Sequence, residues 1–384
     1  MSTRRSLLKS ATALVAASLL APGVASADEP IPVVATFSIL GDMVARIGGE
    51  HIALTTLVGP NGDAHVYQPT PQAASAVAGA DVLFTNGLEF EGWLERLAEA
   101  ASFDGDLVVA TVGIDAIEFS DEHDDHGDHE EHASDEDHDH DHDHDHGEET
   151  ASAVDHDHDH DHDHGEETAS AEDHDHDHGD DHDHDHEGEQ ASMEEHDDHD
   201  HDHAGHDHGA FDPHAWLTIE NAVVYVDNIT AGLAQADPEN AASYYQNRAA
   251  YVAELEALEA EIDVMMASIP ESRRTVVTSH DAFGYLAAHY GMTFEAPQGL
   301  STESEASAAD VAELITQIRD EGISAVFVET ITDNRLLEQI ANETGASIGG
   351  TLYSDALSGS DGPAGTYVDM MRHNAMTLSQ ALGS

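Results

Sequence analysis

Short runs of apolar and β-branched residues alternate along this chain with longer stretches in which apolar side chains recur every three or four positions. Runs too short for a helix and rich in Val, Ile and Thr read as buried strands, whereas the wider spacing reads as an amphipathic helix. Strands are predicted over residues 32–36, 52–58, 82–85 and 107–112, and again over 275–278, 292–295, 325–328 and 347–351. Helices are predicted between them, over 38–47, 71–78, 92–100, 308–320 and 334–344. That alternation predicts an α/β fold of two lobes, each a parallel sheet flanked by helices.

A longer helical pattern separates the two sets. Over 237–270, Asp237 reads as the N-cap and Pro238 as the first helical residue, and Leu255, Leu258, Ile262, Met265 and Ile269 follow at three- and four-residue spacing before Pro270. At ~1.5 Å per residue such a helix would run ~45 Å, enough to brace both lobes along one side and limit hinge opening. The first lobe is then expected over 28–236 and the second over 271–384.

Two segments break the pattern. Residues 1–27 carry Arg4 and Arg5, an apolar stretch from Ala11 to Leu20 and Ala25-Ser26-Ala27, which together read as a secretory signal. The paired arginines suit the twin-arginine route, and the apolar run is well short of the ~20 residues that span a bilayer. Residues 121–209 are low in complexity, with an 18-residue unit in which the Gly147 to Ala153 sequence returns at Gly165 to Ala171. With almost nothing to bury, this tract is expected to be a disordered insertion in the first lobe.

Charge and composition narrow the function. Of 80 acidic residues, 40 lie in the tract, and against 11 Lys and Arg the rest of the chain still sums to -29. Such a surface excludes nucleic acid as a partner and favours cation attraction. No cysteine is present, so disulfides, thiolate metal sites, cysteine nucleophiles and a lipid-bearing cysteine are all excluded, and a periplasmic location fits best.

Six histidines lie outside the tract: His51, His65, His214, His280, His289 and His373. Three of them, His65, His214 and His280, follow directly on a predicted strand or on the insertion that succeeds one. Ligands of open parallel sheets bind at the carboxyl ends of strands, so these three can converge from both lobes. A carboxylate could complete the set: Asp355 follows the last strand, and Asp333 and Asp361 stand near strand or loop ends too. Three imidazoles and one carboxylate make a four-coordinate, borderline-soft site suited to Zn²⁺.

The motifs around these residues resemble the cluster A-I zinc and manganese solute-binding proteins of ABC importers, and the AztC-type zinc binders share the pattern. The likeness rests on Asp63-Ala64-His65 with Tyr67 and Pro69-Thr70-Pro71, and on Asn86-Gly87-Leu88-Glu89 with Trp93-Leu94. It continues in Asp212-Pro213-His214-Ala215-Trp216, in the Ser279 to Tyr285 segment and in Asp355-Ala356-Leu357. It implies two α/β lobes bridged by a long helix, with His65, His214, His280 and Asp355 as metal ligands in the cleft. Manganese members of the family usually carry glutamate at the position of His280, so the resemblance implies zinc. The family's usual Glu-Pro-Ser stretch appears here as Glu305-Ala306-Ser307.

The function implied is non-enzymatic: capture of Zn²⁺ in the periplasm and delivery to a membrane ABC permease by a monomer, with a periplasmic zinc metallochaperone as a candidate further partner. A zinc hydrolase is disfavoured because four protein ligands leave no open position for water and no His-Glu-x-x-His helix is present. The tract holds 26 of the 32 histidines. It is expected to gather metal weakly at many shifting sites, and the rival function is zinc storage or buffering acting mainly through that tract.

Overall fold

In the computed structural model, residues 29–118 and 211–383 are described, so the predicted signal, the His-rich tract and its expected disorder lie outside them. The first four strands are β1 (Ile31–Phe37), β2 (Ile52–Val58), β3 (Val82–Thr85) and β4 (Asp106–Val109), hydrogen-bonded in the order β2-β1-β3-β4. The second four, β5 (Thr275–Val277), β6 (Thr293–Glu295), β7 (Ala325–Glu329) and β8 (Ser347–Leu352), repeat the same order as β6-β5-β7-β8. Every pairing is parallel. Central strands β3 and β7 are buried along their whole length, which is why their sequences run apolar without alternation.

Nine α-helices are described: α1 (Ser38–Gly48), α2 (Pro71–Ala78), α3 (Leu94–Ala101), α4 (Ile219–Ala236), α5 (Ala241–Met266), α6 (Gly284–Tyr290), α7 (Ala308–Glu321), α8 (Arg335–Thr344) and α9 (Tyr367–Leu382). Their ends are set by side chains. Thr70, Thr218 and Thr366 accept a backbone N–H as N-caps of α2, α4 and α9. Ser307 and Asp310 form a reciprocal capping box at the start of α7. Among the described residues, no helix is long and apolar enough to cross a membrane.

Helix α5 braces the two sheets. Its buried stripe, Tyr244, Tyr251, Leu255, Leu258, Ile262 and Met266, packs into a core that also contains β1, α1, α4 and α9. Arg46 of the first lobe pairs with Glu254, and Arg372 of the second pairs with Glu261, so the same helix is pinned from both sides.

The predicted start of this helix is corrected. Asp237 ends α4, its N–H donating to Leu233 O at 2.8 Å, and its carboxylate accepts from Asn240 Nδ2 and Tyr244 Oη at 2.8 and 2.6 Å. Asp237 thus anchors a turn between two helices, and α5 begins at Ala241. At the other end the chain leaves α5 through bonds from Ser268 N to Met265 O and Ile269 N to Met266 O, so the helix stops before Pro270.

Candidate metal centre

The loop after β2 carries His65, whose N–H donates to Asp63 Oδ1 at 2.9 Å. Asp63 in turn accepts from Thr302 Oγ1 of the second lobe at 2.6 Å. His214 stands just before α4, where Asp212 Oδ1 accepts from both its N–H at 2.9 Å and its Nδ1 at 2.8 Å. A Cβ at Gly284 would collide with Asp212 Oδ2, so the start of α6 closes on this carboxylate only because residue 284 is glycine.

In the second lobe, His280 follows β5. Glu329, the last residue of β7, accepts from the N–H groups of Ser279 and His280 through Oε1 at 2.8 and 3.0 Å, and its Oε2 lies 2.9 Å from His280 Nδ1. Asp355 follows β8. Its chain segment is held by Trp216 Nε1 donating to Ser354 O and by Leu357 N donating to Ser38 Oγ, both at 2.9 Å.

These four side chains come together. Among the described residues they form one group whose ligand atoms all lie within 4.8 Å of one another. Each Nε2 faces Asp355, at 3.2 Å for His65, 3.5 Å for His214 and 3.2 Å for His280. Donors bound tetrahedrally at ~2.0–2.1 Å sit ~3.3 Å apart, so the spacing matches a common ion. All four residues are buried, and the three Nε2 atoms and both Asp355 oxygens have no hydrogen-bond partner. Five orphaned polar atoms aimed at one point would be costly unless a cation or protons compensate them.

The electrostatics fit that reading. Burial disfavours charge on His214, yet Asp355 and the hydrogen-bonded Asp212 outweigh it and raise its pKa from 6.5 to about 9. Burial opposes charge on His280 too, and Glu329 and Asp355 together hold its pKa well above the ordinary range. Asp355 is pushed up by burial, but the two imidazoles bring it well below the usual carboxylate range. At His214 the outer carboxylate also fixes the tautomer: with Nδ1–H donated to Asp212, Nε2 is left as the ligand atom.

The remaining candidates lie elsewhere. Asp333 is exposed and paired with Arg335, and Asp361 is exposed and hydrogen-bonded to Ser360. His51 packs against Tyr244, His289 against Tyr290, and His373 Nε2 donates to Thr351 O at 3.0 Å. Glu329 was not found from the sequence. Its one signal is a charged residue ending an otherwise apolar parallel strand.

Comparison with known proteins gives a consistent picture. A family model described as "Zinc-uptake complex component A periplasmic" matches residues 33–381. The chain is 28% identical over 360 residues to the manganese-binding lipoprotein MntA of Halalkalibacterium halodurans, covering 94% of this chain and 91% of that one. It is 25% identical over 351 residues to the iron-binding protein YfeA of Yersinia pestis, covering 91% and 86%. Among solved structures, the periplasmic zinc binding protein TroA from Treponema pallidum superposes with a TM-score of 0.66 at 24% identity, over 93% of this chain and 100% of that one, which shows the shared fold.

Proposed function

The chain belongs to the ZnuA family of metal-binding periplasmic solute-binding proteins, and from that premise we propose that it captures Zn²⁺ in the periplasm and delivers it to the membrane permease of an ABC importer. His65, His214, His280 and Asp355 are the ligands in this reading. The observation that carries it is the convergence of four buried, orphaned donor groups from both lobes on one point.

The donor set supports zinc over the other cargoes that relatives are named for. Three imidazoles and one carboxylate suit Zn²⁺, whereas Mn²⁺ favours more oxygen. Four protein donors also leave no open position for a reacting water, which supports transport over hydrolysis. Ligands divided between the lobes would couple binding to a small closure that a permease can read. A monomer exported by the twin-arginine route, with no cysteine to carry a lipid, completes the proposal; a zinc metallochaperone as donor fits the same picture.

Metal analysis of the protein purified from periplasm tests the cargo: one zinc retained per chain against a competing chelator is expected, and manganese or iron in its place would overturn the assignment. Deleting residues 121–209 separates transport from storage. One tight equivalent should remain after deletion, and loss of all tight binding would favour the storage reading.

A further inference from the structure

Between β3 and α3 the chain makes a turn whose backbone is under strain. Three successive residues, Gly87, Leu88 and Glu89, have positive φ, at 90°, 53° and 61°. Each non-glycine residue in this region costs on the order of 1 kcal/mol, and such outliers persist only where the surroundings over-determine them. Gly87 is additionally confined, because a Cβ there would come within 2.6 Å of Val109 Cγ1 and 2.8 Å of Thr111 Oγ1.

What imposes the turn is a buried carboxylate. Glu91 accepts from Thr36 Oγ1 at 2.5 Å, from Asn86 N at 2.8 Å and from Gly87 N at 3.3 Å. Thr111 adds a bond from Oγ1 to Asn86 O at 2.7 Å.

Three side chains leave this turn toward the metal centre. Asn86 Nδ2 donates to Pro213 O at 2.9 Å, and Asn86 Oδ1 accepts from Tyr225 Oη of α4. Trp93 Nε1 donates to Ala64 O at 2.7 Å. Pro213 and Ala64 are the residues immediately before His214 and His65. Between these two arms the Phe90 ring stands edge-on to His65 at 4.7 Å and to His214 at 6.0 Å, and it is itself wedged by Phe37 and Trp216, each at 4.9 Å.

We propose that the turn over residues 86–93 is a positioning element that fixes His65 and His214 relative to each other at the spacing one ion requires, with Asn86, Phe90 and Trp93 as its working residues. The proposal rests on the reading of the four-residue cluster as the cargo site. It gives a role to a motif that lies outside the four-residue cluster, and it explains why strain is retained there: a relaxed turn would release both residues that precede the ligands.

The test uses the full chain with one equivalent of Co²⁺, whose visible bands are intense in tetrahedral sites and weak in octahedral ones, together with zinc affinity by chelator competition. Asn86→Ala, Phe90→Leu and Trp93→Phe should each weaken zinc binding about 10- to 100-fold, as loss of supports around a metal's ligands does, and each should diminish the tetrahedral cobalt bands. Trp93→Phe keeps the ring and removes the donor to Ala64 O, so it decides the matter if Asn86→Ala does not fold. A lower melting temperature of the metal-free variants with wild-type cobalt bands and zinc affinity would mean a merely structural turn and would overturn the proposal. Absence of tetrahedral bands in the wild-type chain would instead overturn the cargo-site reading on which the proposal stands.

Discussion

In the second lobe one carboxylate, Glu329, holds His280 at its backbone N–H and faces its ring, and in the first lobe Asp212 holds His214 in the same way; what the first lobe adds is a set of bonds to the residues that precede His65 and His214, with the Phe90 ring between the two imidazoles. Asp355 belongs to the second lobe in sequence, yet its segment is held by Trp216 and Ser38 of the first, and Leu357 O accepts from Asn61 N at 2.8 Å. Supports also cross the other way, since Thr302 Oγ1 donates to Asp63 beside His65 and Tyr285 Oη donates to Asp212 O beside His214, whereas His280 is held from its own lobe by Glu329.

The largest effect that could break this comparison is loss of a ligand. His65→Ala, His214→Ala and His280→Ala should each lower zinc affinity by more than the ~10- to 100-fold typical of outer supports, while His51→Ala and His373→Ala should leave it unchanged. Chelator competition reads all five, and equal affinities throughout would remove the site assignment.

Next come the outer carboxylates. Glu329→Gln and Asp212→Asn should cost about 10- to 100-fold. Glu329→Gln should be the more damaging, because two backbone N–H groups as well as the His280 ring depend on it. The reverse order would mean that the second lobe's ligand is less dependent on its carboxylate than the comparison holds.

The pH dependence is smaller and has a definite sign. His214 has a folded pKa of about 9 against 6.5 unfolded, so in metal-free protein its pairing stabilises fully below about pH 6.5 and is lost as pH rises through 9. The rise is worth roughly 3 kcal/mol at ~1.4 kcal/mol per pH unit. His280 acts in the same direction. Asp355 acts oppositely, its contribution being present above 3.8 and lost as pH falls through its lowered folded value. Zinc must displace the imidazole protons, so the zinc-induced rise in melting temperature should grow between pH 6.5 and 9 while the metal-free melting temperature declines. Parallel melting curves in that window, with a zinc shift independent of pH, would contradict the protonated state of the metal-free pocket.

The smallest effect concerns the bond across the lobes. Trp216→Phe deletes the donor to Ser354 O and leaves a gap beside Phe37 and Phe90 in the core, and it should destabilise the chain by roughly 1–3 kcal/mol with a loss of zinc affinity of only a few fold. A loss as large as that of Glu329→Gln would show that Asp355 depends on Trp216 as heavily as His280 depends on its carboxylate.

Much of this was legible in the sequence, for physical reasons that differ by element. The parallel strands are buried on both faces and so announce themselves as Val- and Ile-rich runs; β2 and β3 fall where they were expected, and the others differ by one to three residues at their ends. Helices α4, α6 and α9 were not singled out. The tract hides the approach to α4, and α6 is only seven residues long. Asp237 misled as an N-cap because an Asp-Pro pair reads the same whether it starts a helix or anchors the turn before one. The three histidines stood out by following strands, whereas Asp355 was set apart from Asp333 and Asp361 only by the resemblance of its motif. Their supports did not: Glu329 lies 49 residues beyond His280, and Asn86 lies 127 before the carbonyl it holds, separations at which no local pattern survives.

The most direct test of the central claim is anomalous scattering at the zinc edge from crystals of the full chain loaded with one equivalent of zinc. The expected result is a single strong peak within ~2.0–2.2 Å of His65 Nε2, His214 Nε2, His280 Nε2 and an Asp355 oxygen. A chain that holds its one equivalent of zinc with no peak between these four groups would contradict it.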